Sequence, residues 1–499
     1  MEQLAALARG PILVLCTSRP ELLEARPEWP GTRLRLAPLG DADALRLLAE
    51  ARLDAASERR VLEAAGGVPL FVEELLALLV EEGLSLEEFT IPPTIDALLA
   101  ERLDRLESRQ RTLLENGAVE GSLFHLGALL ALAAEVADRA PTALAELERR
   151  ELVRSAPPSF TDELAYRFRH VLFRDAAYRA LPKKARADLH EVYAGWLEDK
   201  AGARATEFEE LLGYHFEQAY RYRAELGLAD DRLAVRAGRL LASAGRRALG
   251  RSDMAAAESL LTRAAELLPD DDPERIERLL GLSVALRELG EFDRAARINA
   301  EAIERAEATG LEGVAGRGRL NGAFLRLYTD PAGTDELVAI ALEALPVFER
   351  LGDDTGLAQA LWFIALSDWN RCRVGQAEAL LDRALAHAER SDDRHWRDQI
   401  VAMRGLSTVS GPTPAEEGLR RCDELLADMR GARSVEALLT SYSAVAEAML
   451  GRFDAAREKA VRGGAILEDL GRRVTAVAVN YFAARVELLA DEPARAEEI

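Results

Sequence analysis

The stretch LGEFDRAARINAEAI, Leu289–Ile303, returns further along the chain as LGRFDAAREKAVRGG, Leu450–Gly464. Each copy has a glycine at its second position and small residues at its seventh and fourteenth positions. Together with a further copy between them, these small residues are Ala295 and Ala302, Ala377 and Ala384, and Ala456 and Gly463. Gly290 and Gly451 lie 161 residues apart, which indicates four units of about forty residues. The spacing predicts an array of helical repeats.

The small residues have a packing role in such an array. Helix axes in a hairpin approach to about 8–10 Å only where the crossing residues are small, and the turn between the helices favours glycine. One hairpin cannot bury its apolar face alone, so neighbouring hairpins stack into a superhelix. From about Asp231 onward the sequence predicts no strand and six or seven hairpins, with degenerate units around 311–350 and 393–432.

An earlier unit carries the spacing G-x11-A-x3-L-x2-A-x4-P, formed by Gly245, Ala257, Leu261, Ala264 and Pro269. This spacing resembles the tetratricopeptide repeat, in which paired helices cross at small residues. The last unit, VTAVAVNYFAARVELLADEPARAEEI, contains a first helix and only the beginning of a second. Because the chain also opens close to an apolar strand, we expect it to be an internal piece of a longer protein.

Composition limits the classes of partner. The 499 residues carry a net charge of -22, and the lysines are Lys183, Lys184, Lys200 and Lys459. A chain without a basic field does not gather phosphate backbones, so direct nucleic-acid binding is not expected. The longest apolar runs are shorter than the ~20 residues that cross a bilayer, and no membrane association is predicted.

Cysteine usage and the N-terminal residues bear on the compartment. Cys16, Cys372 and Cys422 are too few and too scattered for a disulfide framework or a zinc site. The N-terminus lacks the pattern of a signal peptide. The sequence therefore predicts a cytoplasmic protein.

The N-terminal segment GPILVLCTSRPEL, Gly10–Leu22, contains the clearest strand signal. The apolar run Pro11–Cys16 is typical of a strand buried on both faces. A second short strand is predicted at Arg33–Leu36, and helices follow it, interrupted by the sequence Gly66-Gly67-Val68-Pro69.

A different pattern follows Pro92-Pro93. Three predicted helices lead to RRELV (Arg149–Val153), then a Pro-Pro turn and AYRFRH (Ala165–His170). This order resembles the recognition-type helix and wing of a winged helix-turn-helix. In that reading, Arg167, Arg169 and His170 form the solvated face of a wing.

Two N-terminal motifs resemble parts of the signal-transducing branch of AAA+ ATPases, the STAND ATPases. VLCTSRPE resembles their sensor-1 strand, and the resemblance makes Thr17, Ser18 and Arg19 the residues near the nucleotide γ-phosphate. GGVPLFVEEL, Gly66–Leu75, resembles their Gly-x-Pro motif. There Pro69 would lie against the nucleotide base, and Gly67 would let the backbone come close.

The phosphate-binding loop of that family does not occur in this sequence. None of the four lysines has glycines at the G-x4-G-K-[ST] spacing, and no acidic strand for Mg2+ precedes the sensor-1 segment. We therefore expect the nucleotide site to be vestigial, with no ATP hydrolysis by this chain, no cofactor of its own, and ATP and Mg2+ bound only in the intact parent.

Other polar or glycine clusters receive structural interpretations. Gly316, Gly318 and Gly322 lie inside a helical repeat, where close helix packing explains them better than dinucleotide binding. His190 and His215 stand among aromatic residues and are interpreted as a helical core with polar edges. No catalytic triad, Cys-His pair or metal-binding motif is visible.

The sequence thus predicts a mainly α protein. It comprises the remnant of an α/β AAA+ core and its lid (1–90), a winged-helix-like domain (91–200), a helical connector (201–230) and a tetratricopeptide superhelix (231–499). The predicted function is regulatory: the array binds a protein or small-molecule effector, with self-association possible. The alternatives are part of an adenylate/guanylate cyclase with an upstream catalytic domain, part of a LuxR-type ATP-binding transcription regulator, or a pure scaffold.

Overall fold

The computed structural model describes residue 32 and residues 34–48, 55–82, 91–328, 333–391, 393–429 and 431–499. In these described ranges the protein is mainly α-helical and has one small sheet. Its described residues form two compact units. The helix–sheet unit holds the described residues among 34–208 and 215–233, and the repeat unit holds residues 209–214 and those described among 234–499.

The helix–sheet unit begins with three helices, α1 (Asp41–Leu48), α2 (Ala55–Ala65) and α3 (Pro69–Glu82). They share a core that includes Leu48, Val61, Phe71 and Leu75. The predicted strand Pro11–Cys16 lies outside the described residues. The prediction of a strand at Arg33–Leu36 is wrong for Leu34–Leu36, which belong to no strand. Leu34 and Leu36 are 80% and 90% exposed, so no neighbouring layer covers them.

A compact helix and strand arrangement follows. Its elements are α4 (Ile95–Asp104), α5 (Ser108–Glu120), β1 (Leu123–His125), α6 (Leu126–Leu132), α7 (Ala140–Arg149), β2 (Val153–Ala156) and β3 (Ala165–Phe168). The antiparallel sheet has the order β1-β3-β2. Phe124 lies in the core with Phe168, their ring centroids 5.1 Å apart. Gly117 of α5 makes room for the Phe124 ring, which a Cβ there would approach to 3.1 Å.

Three helices continue the chain, namely α8 (Val171–Ala180), α9 (Lys183–Ala201) and α10 (Glu209–Glu225). Phe173 and Ala177 of α8 join the core that contains Phe124 and Phe168. This shared core makes α8 part of the same packed layer as the sheet.

The repeat unit consists of seven consecutive helix pairs in the described residues. The first helices are α11 (Asp231–Gly250), α13 (Pro273–Glu288), α15 (Glu312–Arg326), α17 (Asp354–Asn370), α19 (Arg394–Ser410), α21 (Arg433–Met449) and α23 (Arg473–Leu489). The second helices are α12 (Met254–Leu267), α14 (Phe292–Ala308), α16 (Thr334–Leu351), α18 (Val374–Arg390), α20 (Ala415–Asp428), α22 (Phe453–Asp469) and α24 (Pro493–Glu498). The stretches that look degenerate in sequence form complete pairs, α15–α16 and α19–α20.

The small residues of the repeat sit where helices cross. Ala295, Ala302, Ala377, Ala384 and Ala456 are fully buried. A Cβ on Gly463 would lie 2.7 Å from the carbonyl oxygen of Ala437 on the preceding helix. Gly290 and Gly451 turn the chain between paired helices with φ of 86° and 76°, which glycine adopts without a steric cost.

Candidate functional site

The residues predicted to border a nucleotide fall into two groups. Thr17, Ser18 and Arg19 lie outside the described residues. Gly67 and Pro69 are described, and they lie at the junction of α2 and α3. Their role in a vestigial nucleotide site stays a prediction.

Gly67 makes a close backbone approach to another segment of the chain. Its φ is 75°, and a Cβ there would lie 2.5 Å from the carbonyl oxygen of Leu39. The N–H of Leu39 donates to the carbonyl of Gly67 at 2.8 Å. Pro69 is the first residue of α3, a position where its missing N–H has no helical partner to lose. Both residues therefore have local structural roles.

The repeat array returns onto itself. A Cβ on Gly250, the last residue of α11, would lie 3.6 Å from the Cβ of Arg394, the first residue of α19. The N–H of Met254 donates to the carbonyl of Leu470 at 3.3 Å. A Cβ on Gly471 would lie 3.5 Å from Leu289. The superhelix has therefore completed a turn by the fifth pair, and the later pairs lie along the first two; we call this line of contact the seam.

A buried carboxylate and two guanidinium groups meet at the seam. Arg472 donates from Nε to Oε2 of Glu288 at 3.2 Å, and both side chains are about 3% exposed. Arg287 donates from Nη2 to the other oxygen, Oε1, at 2.9 Å. The hydroxyl of Thr475 donates to Oε2 at 2.6 Å. Both carboxylate oxygens of Glu288 are therefore bonded inside the array.

Each nitrogen of the Arg472 guanidinium donates a hydrogen bond. Its Nη1 donates to the hydroxyl oxygen of Ser434, and its Nη2 donates to that of Thr475 at 3.0 Å. Arg472 is the residue before α23, and Gly471 before it has φ of 71°. Together with the bond to Glu288, these bonds hold the guanidinium in one orientation.

Electrostatics keep this cluster ionised. Burial alone would raise the pKa of Glu288, but Arg472 and Arg287 outweigh it and hold the pKa well below its usual range. Burial lowers the pKa of the neighbouring His395 to about 3, and the two arginines add to that effect. Burial raises the pKa of Asp398 to about 6, although the charges of Arg397, Arg394 and Arg472 act to lower it. At neutral pH His395 is therefore uncharged beside an ion pair.

The arrangement holds the carboxylate of Glu288 between two guanidinium groups and a hydroxyl. In the described part of the chain, no three His, Cys, Asp or Glu side chains gather closely enough to hold a metal ion. The carboxylate of Glu288 accepts bonds and is flanked by cations, so it is poorly placed to act as a base.

A second buried polar cluster lies in the helix–sheet unit. Nδ1 of His190 and Nδ1 of His215 are 2.8 Å apart, and Tyr178 Oη lies 2.7 Å from Nε2 of His190. Burial lowers the pKa of His190 to about 3, and Arg186 adds to the effect. Burial also lowers the pKa of His215 well below its usual value. The two rings are thus a neutral pair, with one nitrogen donating and the other accepting.

The sequence pointed to His190 and His215 but not to the residues of the seam. In an acidic chain, single charged residues carry little information, and nothing local brings Glu288 and Arg472 together. The internal repeat gives no signal either, because the equivalent position is Glu288, Asn370 or Met449 in the three copies.

Comparison with known proteins gives distant relatives. No family model matches the chain. An uncharacterised protein of Rhizobium meliloti (strain 1021) is 29% identical over 304 residues, which cover 56% of this chain and 27% of that protein. The chain therefore spans about a quarter of the length of this relative.

Solved structures that align with the chain are also distant. A STAND protein with a tetratricopeptide repeat sensor from Pyrococcus horikoshii is 14% identical, with a TM-score of 0.36 and coverage of 92% of this chain and 70% of that chain. A Rap protein complexed with competence and sporulation factor is 13% identical, with a TM-score of 0.39 and coverage of 87% and 99%. Aspartyl phosphate phosphatase F from Bacillus subtilis is 13% identical, with a TM-score of 0.39 and coverage of 87% of this chain and 96% of that chain. These likenesses assign no function to this chain.

The helix pairs themselves define the class. Seven stacked pairs with small residues at the crossings make this a tetratricopeptide-like repeat protein. Among the residues that the structure describes, none of the helices combines the length and apolar character needed to cross a bilayer.

Proposed function

We propose that this chain is a regulatory part of a signal-transduction protein. In this proposal the repeat array binds a protein or small-molecule effector, and a winged-helix-like domain couples that event to a STAND-type ATPase core. The domains are the distal ATPase edge and lid (1–90), the winged-helix-like domain (91–200), the connector (201–230) and the repeat array (231–499).

The seam supports the binding role most directly. Replacing a buried ion pair by apolar residues is often neutral or stabilising, so such a pair is weak support for a purely structural role. At the seam, Glu288, Arg287 and Arg472 occupy the place where an apolar contact would close the array more simply. Charged groups held in fixed geometry are suited to recognition of a polar partner.

The order of elements supports the coupling domain. The segment from α5 to β3 runs helix, strand, helix, helix, strand, strand. The strands form one antiparallel sheet in which β2 and β3 are joined by a short loop. This is the order of a winged helix, with β2 and β3 as the wing. With a net charge of -22 on the chain, we assign this domain to coupling rather than to DNA binding.

Partner binding is tested by peptide selection on the full 499-residue chain. Peptides enriched from a random phage library are synthesised and their binding is measured by fluorescence anisotropy. Hydrogen exchange of the complex is expected to show protection on the first helices of the repeat unit, around α13, α21 and α23. Failure to enrich any peptide above a surface without protein, or protection confined to the helix–sheet unit, would contradict binding of a protein partner by the array.

The nucleotide expectation has its own measurement. Since the sequence lacks a phosphate-binding loop, we expect isothermal calorimetry with ATP and magnesium to show no saturable binding. A micromolar dissociation constant would contradict this part of the proposal.

A further inference from the structure

At the seam, Arg472, Thr475 and Ser434 form a set of donors around the carboxylate of Glu288, and we call this donor set the pocket. Its fixed part is Arg472 with Thr475, and Ser434 orients the guanidinium. The occupant is the carboxylate of Glu288, which lies 184 residues before Arg472 in the chain. We propose that this pocket binds a carboxylate of an acidic partner peptide and that Glu288 fills it in the free chain. This inference rests on the partner-binding role proposed above and names the chemistry of the partner.

The donor set selects the class of ligand. The pocket offers charged N–H donors and a hydroxyl to one carboxylate oxygen, with Arg472 at 3.2 Å and Thr475 at 2.6 Å. A cation would be repelled by Arg472, and a neutral amide would leave the guanidinium without a counter-charge. Guanidinium groups match the geometry of carboxylates closely. A glutamate, an aspartate or a peptide C-terminus therefore has the required chemistry.

The two sides of the pair belong to different parts of the array. Glu288 is the last residue of α13, whereas Arg472 and Thr475 lie at the start of α23 and Ser434 at the start of α21. Opening of the seam would carry Glu288 away and leave the other three together. The seam is also a narrow contact between α13 and α23, whereas consecutive helices pack along their lengths.

Replacement of Glu288 by a partner carboxylate at Arg472 leaves no charge unpaired. Arg287 is adjacent to Glu288 and already bonds its Oε1 at 2.9 Å, so Glu288 keeps a counter-charge after it leaves Arg472. A partner carboxylate then supplies the counter-charge for Arg472. Breaking a buried ion pair is costly because it leaves an uncompensated charge, and here each charge keeps a partner.

Among the described titratable groups near the pair, Glu288 hydrogen-bonds Arg472, whereas Asp398 interacts with it by charge alone. His395 is uncharged, and Asp398 lies 3.6 Å from Arg397. Tyr328 and Tyr442 face the same charges and are neutral, since burial raises both pKa values. Glu288 is therefore the acid that a partner would replace.

Removing Glu288 should empty the pocket and raise its affinity for an external carboxylate. Binding of a labelled hexaglutamate peptide to the full chain is measured by anisotropy at about 0.15 M salt, where long-range charge effects are screened. We expect Glu288→Ala to bind it about tenfold more tightly than the unaltered chain. A hexaglutamine peptide should show no gain, and Glu288→Ala combined with Arg472→Met should lose the gain.

A matched control separates the pocket from the change in net charge. Glu312 pairs with Arg350 at 2.5 Å on the exposed surface, so Glu312→Ala removes the same charge and frees an exposed arginine. We expect it to leave the affinity for hexaglutamate unchanged. The proposed pocket would be wrong if Glu312→Ala and Glu288→Ala raised the affinity for hexaglutamate equally. It would also be wrong if the higher affinity of Glu288→Ala persisted in combination with Arg472→Met.

Folding of the variants is checked by circular dichroism, and Glu288→Gln, which keeps the side-chain volume, replaces Glu288→Ala if the latter unfolds. If neither variant folds, the carboxylate is an indispensable structural element and the inference is wrong. The partner-binding role is judged separately. If the selected peptides bind the unaltered chain and Glu288→Ala equally well, the pocket inference is wrong and the proposed partner-binding function still holds.

Discussion

Glu288 and Arg472 are 184 residues apart in sequence and 3.2 Å apart across the seam of the repeat unit. Consecutive helix pairs in a repeat array contact their neighbours, and this accounts for most of the array's stability. The bond between the second and the seventh pair is of another kind, because it depends on the summed rotation of every pair between them.

Loss of one partner at the seam should be costly. Glu288→Gln leaves Arg472 buried without its counter-charge, and we expect the free energy of unfolding to fall by about 3–5 kcal/mol. In a double-mutant cycle with Arg472→Gln, the combined loss should be smaller than the sum by about 1–3 kcal/mol. Urea unfolding followed by circular dichroism measures each variant. The same cycle on the exposed pair Glu312 and Arg350 should give a coupling of about 0–1 kcal/mol.

Two adjacent glycines of α22 should respond oppositely to alanine. A Cβ on Gly463 would meet the Ala437 carbonyl oxygen at 2.7 Å, whereas a Cβ on Gly464 would have nothing within 4 Å. Gly463→Ala should therefore destabilise the chain by about 1–3 kcal/mol through overpacking. Gly464→Ala should stabilise it by about 1 kcal/mol because alanine is the better helix former. Equal effects in thermal unfolding would argue against the close crossing.

One turn of the array carries a cysteine where other turns carry glycine. Cys372, between α17 and α18, has φ of 59°, and the equivalent Gly451 has φ of 76°. The left-handed conformation destabilises the folded state by about 1–2 kcal/mol for a residue with a side chain, and glycine avoids this strain. Glycine also loses more conformational entropy on folding, which offsets about 0.5–1 kcal/mol of that gain. Cys372→Gly should gain about 0.5 kcal/mol in denaturant unfolding, and Gly451→Ala should lose stability. A loss in Cys372→Gly would contradict the turn geometry.

The histidine pair should make the helix–sheet unit sensitive to acid. The folded pKa of His190 is about 3, below the usual value of 6.5, because burial disfavours the cation. Its contribution is therefore fully present above pH 6.5 and is lost as the pH falls toward 3. Each such histidine should lower stability by about 1.4 kcal/mol per pH unit in that range.

Thermal unfolding between pH 7 and pH 4 measures this dependence. Replacing both His190 and His215 by glutamine should flatten it relative to the unaltered chain, because glutamine does not titrate. An unchanged slope in the double variant would assign the acid sensitivity to other groups.

The repeat architecture was largely readable from the sequence because it depends on local spacing. Ala302 and Ala384 are small residues at a fixed interval, and both are fully buried at helix crossings. The pair α15–α16 was harder to read, because its packing reverses the pattern. There Phe348 of the second helix is large, and Gly316 of the first helix makes room for it, with a hypothetical Cβ 2.9 Å from the ring. A motif that seeks small residues on the second helix misses such a pair.

The seam was not readable from the sequence. Whether Glu288 meets Arg472 depends on small rotations that accumulate over several pairs, and no spacing of residues records that sum. The nucleotide motif illustrates the opposite case. The sequence Gly67-Val68-Pro69 matches the Gly-x-Pro motif, and the structure has a tight turn there, but the turn itself says nothing about a ligand.

A closed array has a fixed number of units in a way that an open one does not. Open solenoids gain or lose whole repeats by recombination with little penalty, because each unit touches only its neighbours. Here, duplication or deletion of one pair between α13 and α23 would shift Arg472 out of phase with Glu288. The genetic copy number of the repeat between these two helices should therefore be constrained.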